Sequence, residues 1–252
     1  MGVFSFLTDY HYEPVDIPIF LTLLLLEGAL SFDNAAILAA MVRKLPEEQR
    51  RKALLYGLGG AYVFRILAIV GVSVIIANPW LKIVGGLYLL YLMGKHLFDK
   101  SPHDMDEVPG IAKKRLFGLS PFWSIVVAVE LADIAFALDQ VLAAVGLVYD
   151  RGATGDKRLV IIAASMVAIL MLRLSAYYVS RLIDWFPRLE TLAYVAVGWV
   201  GFKLVAVEVA TYLGHPFDIP KIVSVGVTLT LIVLPVLVKA GLDLYRRRKA
   251  AA

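Results

Sequence analysis

Acidic and amide residues recur at one spacing inside two apolar stretches of the chain. In each cluster a first acid is followed six positions later by Asp and an amide residue: Glu27, Asp33 and Asn34 in one, Asp133, Asp139 and Gln140 in the other. Glu130 lies about one helical turn before the second cluster. An ionised carboxylate in hydrocarbon costs several kcal/mol unless it faces a cavity, a partner or an ion. The clusters therefore indicate a functional site.

These clusters offer oxygen ligands for a cation. Glu27, Ser31 and Asn34 follow the i, i+4, i+7 pattern of one helix face, and Gln140 occupies the matching place in the second cluster. With neither His nor Cys at membrane depth, the ligand set suits Mg²⁺, Mn²⁺ or Ca²⁺ rather than Zn²⁺ or Cu⁺. The residues therefore predict a site for a hard divalent cation.

The second acid of each cluster points away from the first. On a regular helix Asp33 and Asp139 lie about 120° around the axis from Glu27 and Asp133. A single ion shared by all four would require local unwinding, and the freed carbonyls would then serve as ligands. Two adjacent pockets would need no unwinding, so both arrangements stay open.

Composition indicates which elements position these residues. Of the 252 residues, 60% are hydrophobic and 18% charged, as in a polytopic membrane protein. A membrane-spanning helix needs roughly 17 to 25 mainly apolar residues. Seven segments qualify, at about 17–42, 53–78, 79–98, 121–148, 159–182, 189–213 and 220–245. We therefore predict an all-α membrane fold with seven transmembrane helices in a single domain over 1–252.

The distribution of basic residues predicts the orientation. Lys and Arg are concentrated in 43–52, 95–118 and 246–249, whereas the segment before the first span carries acids and neither Lys nor Arg. Positive-inside logic then places the N-terminus outside and the C-terminus in the cytoplasm, which agrees with an odd number of spans. The basic residues of 150–158 are assigned to the outside. The net charge of +4 reflects this topology, so we expect no nucleic-acid partner.

An internal duplication accompanies the repeated spacing. Three charged pairs recur 106 to 108 residues apart: Glu27 and Asp133, Arg65 and Arg173, Lys95 and Lys203. Because each copy holds three spans, the second must enter the membrane in the opposite sense, as in many secondary transporters. We predict a 3+3 inverted repeat, with repeat one at about 17–98, repeat two at about 121–213 and an additional C-terminal helix at about 220–245.

Residue counting predicts the depth of the acids. With the predicted spans, Glu27 and Asp133 lie ~15 Å and ~18 Å into the membrane, near its midplane. Asp33 and Asp139 then lie toward opposite sides. This layout is typical of an alternating-access pathway.

Deep basic residues allow a second interpretation of the acids. Arg65 and Arg173 need partners of their own, so a set of buried salt bridges is the alternative to a cation site. Because the acids outnumber these arginines and Lys203, we expect the basic residues to balance part of the charge and a bound cation the rest. Lys203 is expected to pair with Glu208 or with an acid of the first half.

Enzymatic motifs are missing from the sequence. Neither GxxxxGK[ST] nor HExxH occurs, which argues against an ATP-driven pump and against an intramembrane metalloprotease. We therefore expect a transporter that is not an enzyme and has no cofactor. The expected partners are a divalent metal ion and the lipid bilayer, and protein partners are not predicted.

The two long motifs resemble a known family. GluGlyAlaLeuSerPheAspAsnAla at 27–35 and GluLeuAlaAspIleAlaPheAlaLeuAspGln at 130–140 resemble the paired signatures of TerC family integral membrane proteins, and the resemblance covers nearly the whole chain. The family is similar to LysE-type exporters, and its bacterial members are associated with manganese efflux and, by name, with tellurium resistance. The resemblance implies Mn²⁺ as the exported substrate and a bacterial plasma membrane location. The matching metal-site positions are Glu27, Asp33, Asn34, Glu130, Asp133 and Asp139.

Several expectations accompany this resemblance. Ser31 and Gln140 are additional candidate ligands, although many relatives have serine where this chain has Ala137 or Gln140. Crowded carboxylates hold protons in the empty state, so exchange of the metal for protons is chemically natural. Two other classes stay open. One is a transporter of Ca²⁺ or Mg²⁺ or a tellurium-resistance protein, and the other is a factor for membrane-protein assembly or metallation.

Overall fold

Every regular element in the described part of the chain is an α-helix. The structure is a computed structural model that describes residues 10–30, 32–98, 119–150, 156–217 and 219–250. Nine helices lie in these ranges: α1 (Asp16–Leu30), α2 (Phe32–Val42), α3 (Glu47–Val70), α4 (Val72–Ala77), α5 (Trp80–Phe98), α6 (Pro121–Asp150), α7 (Arg158–Trp185), α8 (Arg188–Tyr212) and α9 (Lys221–Ala250). The predicted all-helical class is thus confirmed.

Among the described residues, the helices follow the predicted spans with one interruption. The second span is divided into α3 and α4 at Gly71, a residue with poor helix propensity. The first span contains α1 and α2, and residue 31 between them lies outside the described residues. Within the described residues, length and hydropathy mark α3, α7 and α8 as able to cross a membrane. The count of seven spans and the inverted repeat remain predictions.

The helix that carries the second acidic cluster is continuous. α6 runs without a break through Asp133 and Asp139, so the second half lacks the unwinding that a single shared ion was expected to need. In the first half, residue 31 lies outside the described residues, between α1 and α2.

Helix packing surrounds the acidic clusters. α7 packs against α1, α2 and α3, while α6 packs against α3 and α5. α8 packs against α5 and α2, and α9 covers α8. α5 and α8 approach closely at Gly86 and Gly201, where a Cβ on Gly86 would lie 2.8 Å from the Gly201 carbonyl oxygen. Small residues permit such close contact between membrane helices.

Large apolar side chains cover much of the outer helix surfaces. Leu25, Leu67, Tyr178 and Leu237 are examples, and each is exposed over more than half of its area. Extended apolar surfaces of this kind are unfavourable in water and suit contact with hydrocarbon. The exterior therefore agrees with the membrane environment that the composition predicts.

Candidate functional site

Glu27 is enclosed where α1 meets α3 and α7. Its residue surface is 1% exposed, although it lies in the middle of an apolar helix. Ser165 of α7 donates a hydrogen bond to Glu27 Oε1, and Arg65 Nη1 of α3 lies 3.7 Å from the same oxygen. The other oxygen, Oε2, has no hydrogen-bond partner within the described part of the chain. Glu27 is thus a buried carboxylate with spare ligand capacity.

The second cluster is built on one face of α6. Glu130 and Asp133 are three residues apart, so their side chains lie on the same side of the helix. Arg173 Nη2 of α7 donates to Glu130 Oε1 at 2.8 Å and to Asp133 Oδ2 at 2.6 Å. One guanidinium nitrogen therefore bridges two carboxylates.

Two glycines of α3 make room for Glu130. A Cβ on Gly57 would lie 2.4 Å from Glu130 Oε1, and one on Gly60 would lie 2.6 Å from Oε2. Any side chain at either position would therefore displace the carboxylate. The backbone of α3 forms one wall of the Glu130 site.

Arg65 connects the two halves of the sequence. Its Nη2 donates a 2.6 Å hydrogen bond to Gln140 Oε1 on α6, while its Nη1 faces Glu27 on α1. Asn34, which corresponds to Gln140 in the first cluster, is also buried. Predicted charge-balancing and ligand positions from both halves therefore meet at α3.

A small cavity lies among these groups. It is partly open, and the roughly 220 Å³ of space between its atoms includes open solvent. Its walls come from α3, α6 and α7: Ala61, Phe64, Arg65, Glu130, Asp133, Ile134, Ala137 and Ile169. Apolar walls with few charged groups strengthen electrostatic interactions inside such a cavity.

The charge around the cavity is unequal. The described carboxylates of Glu27, Glu130 and Asp133 face the guanidinium groups of Arg65 and Arg173. If every group is ionised, these residues carry an excess of one negative charge. A buried excess charge is unfavourable unless protons or a cation neutralise it.

Asp139 belongs to a different charged group. Lys203 of α8 lies 3.1 Å from Asp139 Oδ2, and Lys82 of α5 pairs with Glu208. The expectation that Lys203 pairs with Glu208 or with a first-half acid is therefore wrong. The cause is helix packing, because α5 lies close against α8 and places Lys82 beside Glu208.

Two of the predicted ligand side chains lie outside the described residues. Ser31 lies outside the described residues, and so does the side chain of Asp33. Within the described residues, no group of three or more acidic, His or Cys side chains is arranged to hold a metal ion. Arg65 and Arg173 lie among the carboxylates, so the described geometry is one of ion pairs.

Both ends of the helices carry further ion pairs. Near the start of α1 and α7, Lys157 Nζ lies 2.7 Å from Glu13 and 2.8 Å from Asp16, and Tyr10 donates to Asp16 at 2.7 Å. We name these four residues the N-terminal clasp. The hydrogen bond to Asp16 raises the pKa of Tyr10 to about 12. Burial disfavours charge on Lys157, but hydrogen bonds to Asp16 and Glu13 raise its pKa overall.

At the opposite end, the α2–α3 connection is tied to the α7–α8 connection. Arg43 lies 2.9 Å from Asp184 and 2.5 Å from Glu190, and Arg50 lies 2.5 Å from Asp184. We name these four residues the connection network. Together with the N-terminal clasp, it fastens the first span to α7 at both ends.

Sequence reasoning missed several of these contacts. Nothing in the sequence marks Ser165, Gly57 or Gly60 as site residues, because a serine or a glycine is common in an apolar helix. Lys157 was assigned only to a loop. Each becomes informative through a neighbour that is distant in the chain.

Apolar helices that bury ionisable residues at mid-length define a helical integral membrane protein. The chain belongs to the integral membrane protein TerC family, whose family model matches residues 12–250. The resemblance found in the two motifs is thereby confirmed.

Bacterial membrane proteins are similar to this chain. The uncharacterized membrane protein YkoY of Bacillus subtilis is 40% identical over 196 residues, which are 74% of this chain and 59% of YkoY. YceF of the same organism is 41% identical over 196 residues, or 76% of this chain and 72% of YceF. The UPF0053 inner membrane protein YoaE of Escherichia coli is 29% identical over 216 residues, or 80% of this chain and 38% of YoaE. No solved structure matches the chain.

Proposed function

We propose that this chain is a secondary transporter that exports a divalent cation, Mn²⁺, through the cavity between α3, α6 and α7. One observation carries the proposal: among the described residues in and beside this cavity, three carboxylates face only two guanidinium groups. The carboxylate of Glu27 is buried, and those of Glu130 and Asp133 are half-buried. Such an excess attracts a cation and gives no reason for an anion to bind. The protein is proposed not to be an enzyme.

Ligand chemistry narrows the substrate class. Carboxylates, the amides of Asn34 and Gln140 and the Ser165 hydroxyl are hard oxygen ligands, which favour Mg²⁺, Mn²⁺ and Ca²⁺. Membership of the TerC family supports Mn²⁺ among these. The proposed ligands are the predicted set of Glu27, Asp33, Asn34, Glu130, Asp133 and Asp139, with Ser31 and Gln140 as additional candidates.

The proposed architecture is an inverted repeat of three spans each, followed by α9. The packing supports it, because exchanging the first three spans with α6, α7 and α8 reproduces the same contacts. The first span packs on α7 as α6 packs on α3, and α2 packs on α8 as α6 packs on α5. The ion pairs support it as well, since Glu27 with Arg65 corresponds to Asp133 with Arg173.

Transport is proposed to proceed by alternating access in a bacterial cytoplasmic membrane, with the N-terminus outside and the C-terminus inside. The N-terminal clasp then closes the outer end, and the connection network closes the inner end. Opening one of them while the other stays closed would expose the cavity to one side. Protons exchanged for the metal would neutralise the carboxylates on the return step.

Mn²⁺ flux in proteoliposomes tests the proposal. Wild-type protein should move Mn²⁺ down an imposed gradient, and Glu27→Gln and Asp133→Asn should each abolish the flux, because each removes the charge of a proposed ligand. Glu48→Gln is the matched control, since Glu48 is exposed at the start of α3 and its variant should transport normally.

Two results would contradict the proposal. Undiminished flux in both ligand variants would exclude the site, and the absence of flux in correctly folded wild-type protein would exclude transport of Mn²⁺. Competition by unlabelled Ca²⁺ or Mg²⁺ separates the related substrates. Co-purification of nascent membrane proteins without any ion flux would favour an assembly factor instead.

A further inference from the structure

Arg173 is held in an unusual way for a buried arginine. Its residue surface is 2% exposed, and its only hydrogen bonds within the described chain run from Nη2 to Glu130 and Asp133. Nε and Nη1 have no partner there. A guanidinium group has five N–H donors, so most of this donor capacity is unused in a buried position.

Arg50 shows how this protein fixes an arginine for a purely structural purpose. Its Nε donates to the Leu45 carbonyl at 3.0 Å, its Nη1 to Asp184 at 2.5 Å and its Nη2 to the Arg43 carbonyl at 3.0 Å. All three nitrogens of Arg50 are bonded. The single attachment point of Arg173 therefore contrasts with the arrangement of Arg50.

Arg65 repeats the incomplete arrangement in the first half. It donates one hydrogen bond from Nη2 to Gln140, while Nε and Nη1 have no hydrogen-bond partner in the described chain and Nη1 lies 3.7 Å from Glu27. Arg65 also lines the cavity. A buried arginine with only one hydrogen-bonded nitrogen thus occurs at both positions of the Arg65 and Arg173 pair.

We propose that Arg173 and Arg65 are internal counter-cations that compete with the transported metal for the carboxylates of Glu27, Glu130 and Asp133. The inference rests on the proposed function, because it concerns the same cavity. The Arg173 guanidinium occupies the space between Glu130 and Asp133 that a divalent ion would need, so the metal and the guanidinium exclude each other by charge and by volume.

The partial bonding gives this exchange a physical basis. Because only Nη2 of Arg173 is engaged, withdrawal of the guanidinium breaks contacts at one nitrogen and leaves no other bonds to disrupt. When the metal leaves, the tethered cation returns to Glu130 and Asp133 and lowers the chance that the metal binds again. The arginines thereby weaken binding and speed release, which favours turnover.

Binding of Mn²⁺ to the purified full chain tests the inference directly. Arg173→Gln removes the competitor while the carboxylates remain, so equilibrium dialysis should show Mn²⁺ bound about tenfold more tightly than by wild-type protein. In proteoliposomes the same variant should exchange Mn²⁺ more slowly, because release becomes limiting. Arg181→Gln is the matched control on the same helix, since Arg181 is exposed and is not among the residues that line the cavity.

A second variant keeps the test decisive if Arg173→Gln does not fold. Arg173→Lys retains the charge on a shorter, single-nitrogen group that bridges the two acids less well, so it should bind Mn²⁺ a few-fold more tightly than wild-type protein. Thermal unfolding reports whether each variant is folded. Folded variants that bind Mn²⁺ no more tightly than wild-type protein would overturn the counter-cation role, even while wild-type transport persists. Wild-type protein that neither binds nor moves Mn²⁺ would instead overturn the proposed function, and with it this inference.

Discussion

Substitution of Gly57 by alanine should separate the position of Glu130 from the stability of the fold. The new Cβ would lie 2.4 Å from Glu130 Oε1, whereas ordinary contacts begin at 3.4 Å. The carboxylate must therefore withdraw by about 1 Å. Because Oε1 accepts the 2.8 Å hydrogen bond from Arg173 Nη2, this displacement breaks that bond.

The expected effects on stability and transport differ in size. Alanine favours the helix by ~1 kcal/mol over glycine, while losing the charged hydrogen bond costs ~1.5 to 3 kcal/mol. The net change in unfolding free energy is therefore small, and the melting temperature should change by only a few degrees. A ligand displaced by about 1 Å should lower Mn²⁺ transport by roughly tenfold to a hundredfold.

Neighbouring glycines provide matched comparisons on α3. Gly60→Ala approaches Glu130 Oε2 at 2.6 Å and should reduce transport in the same way, whereas Gly59→Ala meets no described atom within 4 Å. Gly59→Ala should therefore transport normally and be slightly more stable. The assay is Mn²⁺ flux in proteoliposomes beside thermal unfolding in detergent. Equal flux in the Gly57, Gly59 and Gly60 variants would refute the idea that α3 positions Glu130.

Two further predictions concern the scaffold. Gly86→Ala places a Cβ 2.8 Å from the backbone oxygen of Gly201, so it should destabilise the fold by ~1 to 3 kcal/mol in thermal unfolding. Gly94→Ala on the same helix is the control and should not destabilise the fold. Equal melting temperatures for the two variants would contradict the close α5–α8 contact. Lys157→Met should lower the melting temperature at neutral pH. Because the folded state raises the Lys157 pKa above 10.5, that deficit should persist up to about pH 10 and shrink at higher pH, and a deficit independent of pH would exclude the charge of the clasp as its cause.

Much of the helical layout was predictable because apolar length has a direct physical meaning. Pro79 and the polar connection at 43–52 divide the hydrophobic sequence. Helix α5 begins at Trp80, beside the expected start at 79, and α3 begins at Glu47, inside the connection and before the expected start at 53. The interruption at Gly71 was harder to predict. A single glycine is compatible with a continuous helix, and tertiary contacts decide whether the helix breaks.

The acidic residues of the candidate site could be predicted from the sequence, but their ion-pair partners could not. Burial cost alone singled out Glu27, Glu130 and Asp133, because an acid inside an apolar segment requires a reason. The partners of Lys203 could not be read in the same way. Several acids lie within reach of a long side chain at similar depth. The packing of α8 against α5 selects among them, and Lys203 pairs with Asp139 of α6.

The sequence by itself determined the helical membrane class, the TerC family and the identity of the acids inside apolar helices, because hydrophobic length, charge cost and motif spacing are properties of the chain. Only the tertiary structure decided that Arg173 bridges Glu130 and Asp133, that Arg65 lies between Glu27 and Gln140, and that α3 glycines border the Glu130 carboxylate. The physical reason is the distance over which each effect acts. The cost of burying a charge can be judged from the residues of one segment, whereas an ion pair depends on ångström-scale distances between helices that are far apart in the chain.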